Sequence, residues 1–467
     1  MKTKAIILSV LTVFAAASFA DVKDAKVSEK LKAMWANPVL QEQLDINIKA
    51  NRMGSFTLDF RKKATKYSYK GYAVKDVKVE LVKHDFLFGC NAFLIDGFRN
   101  EDGSVNQADA DKYGETFKKL FNYATLAFYW PEFEPTEGKM RFSKDSEYMY
   151  RRPAAETSLD FCKKYDLTPK GHCLVWHIND FWGQPKWAIA PKDPEYIKDL
   201  TFKRIKAIAD YCGGKIKYWD VVNEAGSYCN ADAIQFDDYL YASFKEAARV
   251  FPGNSVFINN ETDRAWTQAN KDGITGRFYA TNEYLIAKGA KLDVIGIQYH
   301  VFDEKRWENI LAGNIETPNF FLNALDIFAK EKRPIHITEI TIPSMGGEPE
   351  ENQAFWVECL YKLWFSHPSV EAITWWNLVD GTAASGEDKW KGGLVNRDFS
   401  PKKAFLVLDR LINKQWRTKA EFAGEHTSVN FRGFYGTYLV TYTVDGITKT
   451  EKIRLSKGMF NRPVNIE

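Results

Sequence analysis

Beyond its first twenty positions the chain has no run of about 18 apolar residues, so the sequence offers no helix long enough to cross a membrane. It also has no block of like charge. Lys and Arg number 64 against 61 Asp and Glu, a net charge of +3, and two of those lysines, Lys2 and Lys4, sit in the first few residues. That balance gives no electrostatic reason to expect nucleic acid or an anionic membrane as a partner. No Cys-x-x-Cys pair occurs among the six cysteines (Cys90, Cys162, Cys173, Cys212, Cys229 and Cys359), which argues against a zinc framework or a cysteine-dense scaffold. Their even number permits disulfides without requiring them, and Cys90 and Cys173 fall inside expected buried strands as core thiols. The seven histidines show no His-Glu-x-x-His spacing, so no metal and no cofactor is expected. A glycine-rich phosphate loop, an internal repeat and a low-complexity tract are missing as well.

Aromatic residues are abundant, with 14 Trp, 22 Tyr and 33 Phe. Most belong in a core, but indole faces also stack on pyranose rings, and so many Trp suit a sugar cleft. The N-terminus has the form of a secretory leader over residues 1–20. Lys2 and Lys4 supply the charge, Ala5 to Ala17 the apolar stretch, and Ser18-Phe19-Ala20 the small residues that a signal peptidase reads. The expectation is a secreted or periplasmic, monomeric protein.

Residues 21–85 read as a helical or irregular lead-in followed by alternating strands from Ile46 to His84, among them Ser55–Phe60 and Val77–Val82. From Phe86 the texture changes to that of an α/β protein. Eight short apolar strands are expected at Phe86–Phe93, Tyr123–Trp130, Thr168–His177, Ile216–Glu224, Ser255–Asn260, Leu292–His300, Pro334–Thr341 and Glu371–Leu378. Between them Asp145–Tyr165, Tyr196–Cys212, Asp232–Phe251, Ala265–Lys288 and Asn352–Phe365 have helical spacing. Eight strand–helix units fit a TIM (β/α)8 barrel over residues 86–412. A doubly wound open sheet would need a glycine-rich first turn that is not there. After a last helix, Phe405–Ile412, alternation returns over residues 413–467. Phe431–Val444, the turn Asp445-Gly446 and Thr448–Leu455 form a hairpin. The two flanking β-segments are each too small to fold alone, so they are expected to pair into one small β-sandwich beside the barrel.

Catalytic groups of such a barrel gather at the C-terminal ends of its strands. Reading those ends in order gives Trp130, His177, Asn223 with Glu224, Asn260 with Glu261, Gln298 with His300, Glu339, and Trp375 with Trp376. A carboxylate that closes a buried strand is costly unless paired or used. Glu224 ends the run Lys217-Tyr218-Trp219-Asp220-Val221-Val222-Asn223, and Glu339 ends Pro334-Ile335-His336-Ile337-Thr338. Strands four and seven face each other across the barrel mouth, and two such carboxylates are the minimum equipment for cleaving a glycosidic bond. For His172 and His336 a core role is expected.

The chain resembles the family-10 glycoside hydrolases, the family of endo-β-1,4-xylanases. The matching pieces are Gly171-His172-Cys173-Leu174-Val175-Trp176-His177, Trp219–Glu224, Ile295-Gly296-Ile297-Gln298-Tyr299-His300, Ile337-Thr338-Glu339, and Trp376 followed by Gly393-Leu394 and Ser400–Ala404. The resemblance implies a retaining double displacement on β-1,4-linked xylan or a related plant polysaccharide. Glu339 would be the nucleophile and Glu224 the acid/base. Asn223 would bond the substrate's 2-hydroxyl, His177 and Gln298 would contact the sugar and the nucleophile, His300 would hold Glu339, and Trp376 would form an apolar wall. Trp130 is a further candidate for sugar contact.

One stretch departs from the family. Where it carries a Glu-Asn-Glu-Met-Lys-Trp run that grips the non-reducing side of the substrate, this chain has Thr125-Leu126-Ala127-Phe128-Tyr129-Trp130-Pro131-Glu132. Asn259-Asn260-Glu261 also replaces the usual Asn-Asp-Tyr. The resemblance thus implies intact catalytic groups beside a rebuilt binding wall, with Glu132 or Glu134 as candidate replacements. It leaves open a hydrolase or transglycosylase of another β-glycan, and a carbohydrate-binding protein on an inactive scaffold.

Overall fold

A computed structural model describes residues 24–178, 182–226 and 233–466. The expected leader at 1–20, and Cys229, lie outside them. Sixteen strands are present among the described residues. Three come first: β1 Met53–Thr65, β2 Ser68–Gly71 and β3 Val74–His84. The next eight are β4 Leu87–Asn91, β5 Tyr123–Ala127, β6 Thr168–Val175, β7 Tyr218–Asn223, β8 Val256–Glu261, β9 Val294–His300, β10 Ile335–Thr341 and β11 Val370–Trp375. The last five are β12 Lys419–His426, β13 Ser428–Phe434, β14 Gly436–Val444, β15 Ile447–Leu455 and β16 Asn461–Asn465.

Strands β4 to β11 pair in parallel, each with its neighbour in sequence, and β11 returns to β4 to close the barrel. Both faces of these strands are covered, and their residues are buried almost without alternation, as parallel sheets require. Helices wrap the outside. Several begin on a side-chain cap: Asp193 accepts from the Glu195 and Tyr196 amides ahead of Pro194–Cys212, and Thr317 from the Phe320 amide ahead of Pro318–Ala329. The expected helix Ala265–Lys288 is two helices, Arg264–Asp272 and Arg277–Ala287, because the chain turns at Gly273 with φ of 58°. Gly171 of β6 is fixed by close packing, since a Cβ there would meet the Trp219 ring at 2.1 Å.

The flanking segments form two four-stranded sheets. One holds β13, β1 and β16, with β2 on β1; the other runs β12-β3-β14-β15. They face each other through aromatic contacts, with Phe60 of β1 5.2 Å from Tyr442 of β14. Strands from both ends of the chain thus interleave in each sheet, as expected of a joint sandwich. The turn between β14 and β15 has positive φ at both Asp445 (49°) and Gly446 (75°), the hairpin geometry that an Asp-Gly pair favours.

Two local expectations are corrected. The stretch from Ile46 is helix rather than alternating strand: Pro38–Arg52 runs on to the first residue of β1. Its buried residues are Leu44, Ile48 and Arg52, the i, i+4, i+8 spacing of one helix face. Arg52 is buried because its guanidinium donates to the carbonyls of Phe365, His367 and Val370. Phe431–Val444 is not one strand, since the chain crosses from one sheet to the other at Tyr435, between β13 and β14.

Candidate active site

At the C-terminal mouth of the barrel lies a cavity of about 790 Å³. Glu224 follows the last residue of β7, with φ of 54°, a left-handed conformation uncommon for a side chain other than glycine. Its amide donates to the Asn260 carbonyl at 2.7 Å. The next turn is held by Glu261 at the end of β8, whose carboxylate accepts from the Gly226 amide at 2.7 Å and the Thr262 amide at 2.9 Å. A Cβ at 226 would lie 2.5 Å from Glu261 Oε2, so any larger residue there would displace this carboxylate.

Glu339 lies across the mouth in β10. Gln298 Nε2 bridges the two carboxylates, 2.9 Å from Glu224 Oε1 and 3.1 Å from Glu339 Oε1. Asn260 Nδ2 also donates to Glu339 Oε1 (3.1 Å) and to Asn223 Oδ1 (2.7 Å), and Thr338 Oγ1 donates to Asn260 Oδ1. His300 Nε2 lies 3.2 Å from Glu339 Oε2, while its Nδ1 is 3.0 Å from Thr341 Oγ1. Burial pushes the Glu224 carboxyl up to about 8, and the charge of Glu339 and then that of Glu261 add to the rise against the opposing bond from Gln298.

Asn223, Glu224, Gln298, His300, Glu339 and Trp376 are brought together on the cavity wall. The Trp376 ring sits edge-on to Phe93 at 5.4 Å and to His172 at 5.5 Å. Two other candidates fall elsewhere. Strand β5 ends at Ala127, so Trp130 begins a one-turn helix, is buried against Ala188, Ile197 and Leu200 rather than on the cavity wall, and donates from Nε1 to Glu134 Oε2 at 2.8 Å. Tyr129 faces the cavity instead. Strand β6 ends at Val175 after its register with β7 slips between His172 and Val175, so Trp176 lines the cavity and His177 points away. The His177 ring stacks on Tyr239 at 4.7 Å, and burial pushes its pKa down to about 3.

His172, expected in the core, is buried yet lines the cavity. Its Nδ1 lies 2.8 Å from Asp220 Oδ2 and its Nε2 3.9 Å from Glu339 Oε1. Lys170 Nζ is 2.7 Å from the same Asp220 oxygen. His336 keeps the expected core role, packed between Tyr123 and Tyr218. The signal for His172 was its place two residues after Lys170 on β6, a spacing that puts both side chains inside the barrel. Glu134 caps the Gly138 amide as well as Trp130, and Glu132 pairs with Arg152, so neither lines the cavity. Arg151 and Arg152 do, from an irregular loop inside the stretch Asp145–Tyr165 that was expected to be helical; the helix begins only at Ala155. Among the described residues no group of three potential metal ligands is found, and the five described cysteines are unpaired.

A closed parallel barrel with two carboxylates bridged over an aromatic-walled mouth defines the class: a (β/α)8-barrel protein of the glycoside-hydrolase type. The sequence profile of Glycosyl hydrolase family 10 matches residues 92–410, and the chain belongs to that family. Among curated proteins it is 28% identical over 359 residues to the anti-sigma-I factor RsgI6 of Acetivibrio thermocellus, covering 76% of this chain and 41% of that one. It is 26% identical over 410 residues to endo-1,4-beta-xylanase 5-like of Arabidopsis thaliana, covering 83% of this chain and 59% of the plant protein. Among solved structures, native xylanase 10B from Thermotoga maritima superposes with a TM-score of 0.56 over 71% of this chain and 96% of that one, at 23% identity, a likeness of fold.

Proposed function

We propose that the chain is a retaining glycoside hydrolase that cleaves β-1,4-linked xylan or a related plant polysaccharide, exported by its N-terminal leader. The observation that carries this reading is the Gln298 bridge. One nitrogen 2.9 Å and 3.1 Å from the two carboxylates holds those oxygens within about 6 Å of each other, which favours the short spacing of a retaining pair (about 5–5.5 Å) over that of an inverting one (about 6.5–9.5 Å). The xylanase name of the plant relative supports the substrate.

In this mechanism Glu339 attacks the anomeric carbon while Glu224, protonated at neutral pH, passes its proton to the departing glycosidic oxygen. The glycosyl-enzyme ester is then hydrolysed by water that gives its proton to Glu224. Asn223, oriented by Asn260, faces the sugar's 2-hydroxyl. Gln298 and His300 keep Glu339 aligned, and Trp376 supplies the apolar wall beneath the ring.

The test is product analysis on a panel of purified β-glycans, with Glu224→Ala and Glu339→Ala beside the wild type and the anomer of the first product followed by NMR. Retained configuration, xylan cleavage and loss of activity in both variants are expected. Cleavage that survives Glu339→Ala, or an inverted product, sinks the mechanism. Activity confined to another polymer sinks the substrate.

A further inference from the structure

Two arginines on the cavity wall have no part in the chemistry above. Arg151 and Arg152 are only 5% and 8% exposed, and both line the cavity. They lie in the loop between the helices Trp130–Phe133 and Ala155–Lys164. Arg151 Nη1 donates to the Thr382 carbonyl, while its Nε is buried without an acceptor. Arg152 Nη1 donates to the Arg151 carbonyl at 3.1 Å, and its Nε is 3.4 Å from Glu132 Oε1. The Arg152 guanidinium lies 4.0 Å from the centre of the Tyr129 ring.

Contact balances only one of these two charges among the described residues. Glu132 is the one carboxylate in ion-pair contact with the two arginines among the described residues. Glu387 also lines the cavity, but its Oε2 accepts from Asn377 Nδ2 at 3.2 Å and it acts on Arg151 without contact. Arg306, another cationic lining residue, is occupied: it donates to Glu316, Asp263 and the His300 carbonyl. Two like charges buried side by side are unfavourable unless an anion joins them. A guanidinium fork is also the group best shaped to hold a carboxylate.

We propose that this end of the cavity binds the carboxylate of a uronic acid unit of the polysaccharide, with Arg151 and Arg152 as its ligands. The inference rests on the glycosidase reading and narrows its substrate to an acidic glycan. Geometry places the bound unit close to the reacting sugar. The Tyr129 ring stands between Arg152 and His172, 5.2 Å from the His172 ring, and His172 Nε2 is 3.9 Å from Glu339. The arginines thereby take the place of the polar groups that the Thr125–Trp130 stretch lacks.

The test is calorimetric binding to the full chain carrying Glu339→Gln, so that cleavage plays no part. The ligands are xylo-oligosaccharides with a glucuronic acid branch, the same compounds with the carboxyl reduced to an alcohol, and oligosaccharides with the uronate in the backbone. At low salt an acidic ligand, branched or linear, binds at least tenfold more tightly than its reduced form, and added salt narrows the gap. Arg152→Gln and Arg151→Gln each narrow it further, whereas Arg152→Lys keeps part of it. Equal affinities for acid and alcohol, or no binding of either, overturn the proposal. So does a gap that survives the double Gln variant at unchanged thermal unfolding. If the variants fail to fold, the acid-to-alcohol comparison in Glu339→Gln decides alone. Cleavage of neutral oligosaccharides by the wild type tests the glycosidase reading separately.

Discussion

Glu224 and Glu339 accept hydrogen bonds from a single nitrogen, Gln298 Nε2. The carboxylates come from opposite sides of the barrel and the amide from β9, the strand that pairs with β10. One side chain therefore sets both the spacing of the pair and part of the acid's proton affinity, because its bond to Glu224 opposes the upward shift. Gln298→Leu is expected to lower kcat/KM by about 10²-fold, the scale of losing one preorganised donor. It should also move the alkaline limb of the pH profile upward. A limb that stays put or moves down would separate Gln298 from Glu224.

Glu224 at about 8 makes its own prediction. Wild-type kcat/KM should hold through neutrality and fall above about pH 8 with the slope of one proton. The folded-state value lies above the ordinary glutamate range, so the native chain holds this proton more tightly than the unfolded one. Its contribution to stability is complete below the ordinary glutamate range and is lost as pH rises through about 8. Glu224→Gln removes that decline. Thermal unfolding of the variant at pH 9 relative to pH 6 should drop less than that of the wild type.

Glu261 acts on Glu224 from a distance, through charge and through the Gly226 amide. Glu261→Gln keeps the shape and removes the charge, so the alkaline limb is expected at lower pH. A purely structural role would reduce kcat and leave the limb where it was.

Asp220 is held by Lys170 and His172 inside the barrel. Burial alone would raise its carboxyl, but these two partners outweigh burial and keep it below the usual aspartate range. Its contribution is therefore present above that range and fades as pH falls through the folded-state value. Asp220→Ala strands a buried lysine and should cost about 3–5 kcal/mol in denaturant unfolding. Lys170→Met combined with Asp220→Leu should recover much of it. A single-variant loss under about 1 kcal/mol would mean that water reaches Lys170.

Removal of β12–β16 strips partners from both edges of β1 and β3 and uncovers Phe56, Leu58, Phe60, Val77, Val79 and Leu81. The shortened chain is expected to aggregate or to bind a hydrophobic dye strongly. A soluble, monodisperse product would contradict the joint sandwich.

All eight barrel strands were legible because buried parallel strands read as short apolar runs ended by polar residues. The carboxylate pair was legible for the same reason, since a charge closing such a run stands out. Side-chain direction at strand ends was not. It depends on where a strand stops and where its register slips, and that exchanged His177 for Trp176 and Trp130 for Tyr129 on the cavity wall. His172 was hidden because one residue can be both buried and functional. Arg151 and Arg152 fall in the stretch Asp145–Tyr165, whose spacing reads as helical, but the helix starts only at Ala155 and both lie in the irregular loop ahead of it, so only the folded chain brings them to the cavity.

The interleaved sheets also set an order of events during synthesis. Thr57 of β1 bonds Asn430 of β13, 373 residues further along. A ribosome releases β1 and β3 first, and the strands that cover them emerge only after the whole barrel has been made. For that interval the nascent chain carries two uncovered hydrophobic edges, and the segment made after the barrel acts as the clasp that shuts them.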